Sequence, residues 1–426
     1  MARLPLEVVG LIIDDVGANL HNDFSSIKAC ALVCHSFLPL CRKYIFACVT
    51  LNWNLPHHSS LPTSDQLNNL LSNSPHLAEY IRELDYPFTE KEFGPKRSPW
   101  LSSMFKKLVK LQKLSLSYST FTQGRLLNWM SSYKRMVLLP LLQLPTLTWI
   151  SLFKIRNFPM ADLAGCANLK NLEIWGLECS KGVGEFLEAL PPTPVMLELL
   201  DFNCRNIKTV LRACKARRPD GKPIIDFSSL KQITAIVERL DSMKELFGMC
   251  RNLQKIDINS KCLSTSCPLH PFDLTLIVDD GMSYDPSKSP SLKGLLTMLE
   301  HSLHTLVDIN IEYGIHNEET YDGALASLCH ELEKMIGKNV VETINLEILV
   351  TGDCSRLGEL DDVLMGFPGG WPALRKVSIL LIVVMPSNNE LKALQGIPFA
   401  KLVESKRVEF DLELAYDAAD LTEEDQ

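Results

Sequence analysis

The sequence predicts an α/β fold: an N-terminal module of three helices, then an irregular solenoid with a parallel sheet on its concave face and helices outside. Three observations predict it. Apolar residues recur at helical spacing through positions 1–50, a short aliphatic phrase of strand period then recurs along the chain, and segments of helical composition lie between its copies.

The chain has 426 residues, more than one ordinary globular core holds, which points to several domains or to an array that grows by addition. Hydrophobic residues make up 46% and charged residues 22%, the balance of a folded chain rather than a disordered one. The formal net charge of −8 lacks the basic footprint that phosphate backbones require, so nucleic acid is not the expected partner. The 13 cysteines are odd in number and scattered, which reads as free, mostly buried thiols. With no basic leader or cleavage site at its start, the chain is expected in the cytosol or nucleus. The apolar runs Met136 to Phe153 and Val377 to Met385 are broken or too short to cross a bilayer, so no membrane association is expected, and the second run reads as a strand buried on both faces.

Pro5 suits a first helical position, and Val8, Val9, Ile12, Ile13 and Val16 follow at helical spacing over a stripe wide enough to bury two sides. Gly17 is expected to end this helix. Ser25 or Ser26 can cap a second, which carries Ile27, Cys30, Ala31, Cys34, Phe37 and Leu38 along one side. Pro39 forces a break, which makes Leu40 to Phe46 a third helix. Three short helices bury too little surface to stand alone, so they lean on something else.

The run Leu4-Pro5-x-Glu7-Val8-Val9-x-x-Ile12-Ile13, followed by Ile27-x-x-Cys30-Ala31-Leu32-Val33-Cys34-His35-Ser36-Phe37, resembles the F-box. It is more similar still to the F-box-like variant abundant in mushroom-forming fungi. The resemblance covers roughly residues 3 to 46, with a longer connection between the first helices and Phe37 where a Trp is frequent. It implies docking onto the Skp adaptor of an SCF-type cullin-RING ubiquitin ligase through Leu4, Pro5, Val8, Ile12, Leu32, Val33 and Phe37, while the rest of the chain captures a protein substrate. The alternatives are that these helices cap the first repeat, or that the chain is a leucine-rich scaffold whose degenerate F-box no longer engages the ligase.

Residues 51–76 read as a polar connector with helical potential at Ser64 to Leu71. From 77 to 415 one phrase recurs: an aliphatic residue, two others, a second aliphatic, one other and a third apolar residue. It appears as Ile81-Leu84-Tyr86, Leu111-Leu114-Leu116, Leu147-Ile150-Leu152, Leu169-Leu172-Ile174, Leu197-Leu200-Phe202, Leu253-Ile256-Ile258, Leu306-Ile309-Ile311, Val341-Ile344-Leu346 and Leu374-Val377-Ile379, with a degenerate copy at Leu230-Ile233-Ala235. Most starts lie roughly 22 to 36 residues apart, the period of leucine-rich repeats. The last two positions share one face of a strand, and the first turns the chain into it. Gly182 to Leu190, Ile207 to Cys214, Leu292 to Glu300 and Tyr321 to Ile336 have helical composition between phrases, and residues 416–426 read as an acidic disordered tail.

No enzymatic activity and no cofactor are expected, because nucleophile elbow, phosphate loop and metalloprotease motifs are missing from the sequence. Cys262, Cys267 and His270 offer three zinc-type ligands where a structural site wants four, so no metal is expected. Cys30 and Cys34 read as core, and the basic stretch Arg205 to Lys222 as a solvated surface. By strand parity the residues between the phrase positions point outward. On that face Trp149, Phe153 and Trp175 form an aromatic cluster, read as the substrate-binding surface unless the loop from Gln123 to Leu142 covers it. Later repeats place acids and amides there instead, such as Asp257, Asn310 and Asn345.

Overall fold

The computed structural model describes residues 5–18, 24–51, 61–88, 93, 97–118, 126–130, 132–180, 190–203, 212, 215–236, 243–259, 295, 299–314, 318–350, 357–365, 370–384 and 399–417. The chain is mixed α/β and forms two compact units: Met1–Phe121 with Arg125–Val195 and Arg217–Ile224, and Thr122–Gly124 with Met196–Ala216 and Ile225–Gln426.

The first unit opens with α1 (Leu6–Ala18), α2 (Ser25–Val33) and α3 (Leu38–Ile45). Val9, Ile13, Ile27 and Cys41 form their shared core, with Val16, Cys30, Ala31, Phe37, Leu40, Tyr44 and Ile45 packed against it. Pro5 lies just before α1, where its carbonyl accepts from the amides of Val8 and Val9. Several expected boundaries shift. α1 runs one residue past Gly17, which packs under the Tyr44 ring where a side chain would have no space. α2 stops at Val33 with Cys34 extended, and it starts behind Phe24 with no side-chain cap at that position. α3 takes Pro39 into its first turn, where the missing N–H costs nothing. In the connector, α4 (Ser64–Asn73) is closed by a capping box between Thr63 and Gln66.

The strands of the large sheet in this unit are β1 (Cys48–Thr50), β2 (Glu83–Phe88), β3 (Lys113–Tyr118), β4 (Trp149–Phe153) and β5 (Asn171–Trp175), with α5 (Ser98–Phe105) and α6 (Ser132–Leu142) among the connections. They pair in parallel in that order. β1 falls within the span expected to be helical, since Phe46 stands where the phrase that Val49 and Leu51 complete wants an aliphatic. α6 occupies most of the stretch expected as the loop from Gln123 to Leu142.

The second unit holds β6 (Leu199–Asn203), β7 (Gln232–Ile236), β8 (Lys255–Asn259), β9 (Asp308–Gly314), β10 (Thr343–Val350), β11 (Lys376–Val384) and β12 (Glu409–Asp417), again parallel and in chain order. Its helices include α7 (Lys244–Phe247), α8 (Glu318–Met335), α9 (Leu357–Met365) and α10 (Ala400–Glu404). α8 matches the helix expected over Tyr321 to Ile336. The other three expected helices lie mostly outside the described residues. α10 is capped from α9: the buried Asp361 carboxylate accepts the amides of Lys401 and Leu402 at 2.8 and 2.9 Å.

Every copy of the phrase, the degenerate one included, folds as a strand whose apolar positions are buried. In β11, Val377, Ile379 and Leu381 are buried while Ser378, Leu380 and Ile382 are half-buried, so one face alone is fully covered, not both. β12 was missed because Arg407 replaces the leading aliphatic; its guanidinium donates to the Trp371 carbonyl at 2.7 Å. It also takes Tyr416 and Asp417 out of the segment expected to be a tail; residues 418–426 lie outside the described set. Among the described residues, no helix is long and apolar enough to cross a membrane.

A second periodicity is absent from the phrase itself. Thr146, Asn168, Asn252 and Thr305 each precede a leading leucine, and each donates from its side chain to a carbonyl near the start of the preceding unit: Leu111, Pro145, Ser228 and Leu253, at 2.6, 2.6, 3.0 and 2.9 Å. These bonds satisfy carbonyls in the turns, which the strand ladders leave unpaired.

Candidate functional site

Two surfaces stand out from the residues upward. The first is on the N-terminal helices. The wide stripe of α1 divides, with Val9 and Ile13 buried and Val8, Leu11 and Ile12 turned to solvent, the last two 70% and 51% exposed. At the end of α2, Leu32 and Val33 are 87% and 68% exposed. A contiguous patch of such aliphatics is a candidate interaction surface. Of the residues expected to dock the adaptor, Pro5, Val8, Ile12, Leu32 and Val33 are exposed, Phe37 is half-buried against the helices' own core, and Leu4 lies outside the described residues. Leu6 and Leu11 join the exposed set; Leu11 lies one turn from the expected Val8, while Leu6 has no such neighbour.

The second surface is the outward face of β2 to β5. Register places Lys113, Trp149 and Asn171 side by side, then Ser115, Ser151 and Glu173, then Ser117, Phe153 and Trp175. Between them Ile150, Leu152, Leu172 and Ile174 are buried, so the parity expected from sequence holds on these strands. Trp149, Phe153 and Trp175 therefore share one face and are partly exposed. Each end of β4 carries a cation over a ring: the Lys113 ammonium 4.5 Å from the Trp149 centroid, and the Lys154 ammonium 5.3 Å from that of Phe153. The Trp149 indole N–H is buried with no hydrogen-bond partner among the described residues. Burial lowers the Lys154 pKa below the usual lysine value. In the middle row Asp85 is pushed the other way, above the ordinary carboxylate value, by burial that outweighs the Ser115 hydroxyl and the Lys113 charge.

In the second unit the outward positions form a connected row. Thr234, Asp257, Asn310 and Asn345 are aligned by register, and Thr234 and Asn310 both donate to the Asp257 carboxylate while Asn345 donates to Asn310. The acids and amides expected here are thus engaged with each other across strands.

Other singled-out residues take structural places. Cys34 is exposed, not core; its thiol lies 3.0 Å from the Ser36 hydroxyl, which holds its pKa below the usual value. Arg218, from the basic stretch, is buried and clamps the Pro191 and Thr193 carbonyls at 2.6 and 2.9 Å. Cys262, Cys267 and His270 lie outside the described residues, among which no group of three or more His, Cys, Asp or Glu is placed to hold a metal. No protein-family model matches the chain, and no curated protein matches it.

Proposed function

We propose that the protein is the substrate-receptor subunit of an SCF-type cullin-RING ubiquitin ligase, with no catalytic activity of its own. The N-terminal helices act as an F-box-like module that docks the Skp adaptor, and the leucine-rich repeats act as a solenoid that captures a protein substrate. The observation that carries this reading is the exposure of Leu32, Val33, Ile12 and Leu11 on α1 and α2, beside a core that already buries Val9, Ile13 and Ile27. An apolar surface of that kind, on a module too small to be stable alone, is suited to a large partner. The regular parallel strands, each led by a buried aliphatic, support the repeat reading. Trp149, Phe153 and Trp175 supply the ring-rich face on which the substrate would be held.

A second reading, a leucine-rich scaffold with a degenerate F-box, is favoured by Phe37, which packs inward and so removes one apolar knob from the docking set. Affinity purification of the tagged full chain separates the two. The adaptor and cullin should accompany the wild type and be lost from the Leu32→Asp, Val33→Asp double variant. Because both side chains face solvent, the variant should keep its circular dichroism and thermal midpoint. A wild-type protein that brings down neither adaptor nor cullin leaves the scaffold reading in place.

A further inference from the structure

We propose that Lys154 anchors a carboxylate of an extended, acidic-apolar segment of a protein partner, whose neighbouring apolar side chain seats on Phe153 and Trp175. This rests on the reading of that ring-rich face as the substrate surface, and it names the class of segment the face takes.

The backbone gives the first reason. Lys154 follows β4 with φ 56°, and Gly176 follows β5 with φ 62°. Register pairs Phe153 with Trp175, so the two residues stand at equivalent corners of neighbouring strands. The corner requires the left-handed conformation: the Lys154 amide donates to the Trp175 carbonyl at 2.8 Å, and its carbonyl accepts from Leu127 at 3.0 Å. Glycine meets that requirement without cost, as it does at 176, whereas a side chain there is strained. The lysine is thus unfavourable for the backbone, and its side chain must supply the return.

Among the described residues that side chain makes no ion pair; its one charge contact is with the adjacent Phe153 ring. Lys231, Lys255 and Lys376 are each paired with an acid, Glu198, Asp257 and Glu409, at 2.8, 3.6 and 2.9 Å. Among the described residues Lys154 has no carboxylate partner, and desolvation is what moves its pKa. Its ammonium sits over Phe153, whose ring polarises the site without neutralising it. A cation held half out of water, on a ring, with no carboxylate among the described residues, is complementary to one negative charge. A carboxylate matches that single charge. The absent side chain at Gly176 leaves room beside it, since a Cβ there would meet Lys154 atoms no closer than 3.8 Å. The partly exposed Phe153 and Trp175 rings alongside would take the apolar residue next to the acid.

The test is selection of random dodecapeptides displayed on phage against the full-length protein and its Lys154→Gln, Lys154→Glu, Lys154→Gly and Trp175→Ala variants, with circular dichroism on each. The wild-type pool should be enriched in Asp or Glu within two positions of a large apolar residue. Lys154→Gln should keep the apolar preference and lose the acid, and Lys154→Glu should exchange the acid for Lys or Arg. Lys154→Gly should lose the acid preference while gaining stability, the signature of a residue kept for binding at the expense of folding. For a synthetic peptide from the wild-type pool, Lys154→Gln should weaken binding by about tenfold or more. Acid enrichment that is absent from the wild type, or that persists in the Gln and Glu variants, overturns the anchor. Peptides that survive Trp175→Ala with unchanged preference would overturn the ring face itself as the binding surface. Neither result depends on whether α1 and α2 dock an adaptor.

Discussion

The Asp162 carboxylate accepts the indole N–H of Trp129 at 2.7 Å, and both side chains are buried. The Arg135 guanidinium completes the site by donating to both carboxylate oxygens, while the Trp129 ring packs on Phe158 with centroids 5.0 Å apart. Asp162→Ala would remove the acceptor of the buried indole N–H and one carboxylate partner of the part-exposed Arg135, which should cost about 1–3 kcal/mol. Asp162→Asn keeps an acceptor for Trp129 and should cost less. Urea denaturation checks both; equal costs would show that the charge is irrelevant and the hydrogen bond is everything.

Two glycines in α1 should respond to alanine with opposite sign. At Gly10 a Cβ meets nothing within 4 Å, so Gly10→Ala should gain up to about 1 kcal/mol from helix propensity. At Gly17 the Cβ would come within 2.4 Å of the Tyr44 ring, which is held by its own hydroxyl bond of 3.0 Å to Asp14. Displacing it should cost about 1–3 kcal/mol and exceed the propensity gain. Thermal melts of the two variants decide the matter, and a stabilised Gly17→Ala would mean that Tyr44 moves at no cost.

Asp85 should make the chain less stable as pH rises. Its folded-state pKa is raised, so between the ordinary carboxylate value and the folded value the native state holds a proton that the unfolded chain has released. Stability therefore falls as pH climbs through that window and then levels. Asp85→Asn should remove the fall and be more stable than wild type near pH 7, the two converging near about pH 3. Denaturant midpoints measured across that range test the sign: a wild type that gains on the variant with rising pH would contradict it.

The strands were legible because their signal is local. A buried aliphatic followed at fixed offsets by two more specifies the turn, the strand and the inward face within six residues, and each copy carries it independently. β1 and β12 escaped for the same reason, since Phe46 and Arg407 stand where the phrase wants a leading aliphatic. The sequence likewise placed Trp149, Phe153 and Trp175 on one face by parity alone. It could not say which side of α1 faces its own core, because Val8, Val9, Ile12 and Ile13 are equally apolar and packing by α2 and α3 decides among them. Nor could it pair Lys113 with Trp149, Asp257 with Asn310 or Lys154 with Gly176. Those are relations of register between strands separated in the chain, and register is fixed only when neighbouring strands close their backbone hydrogen bonds.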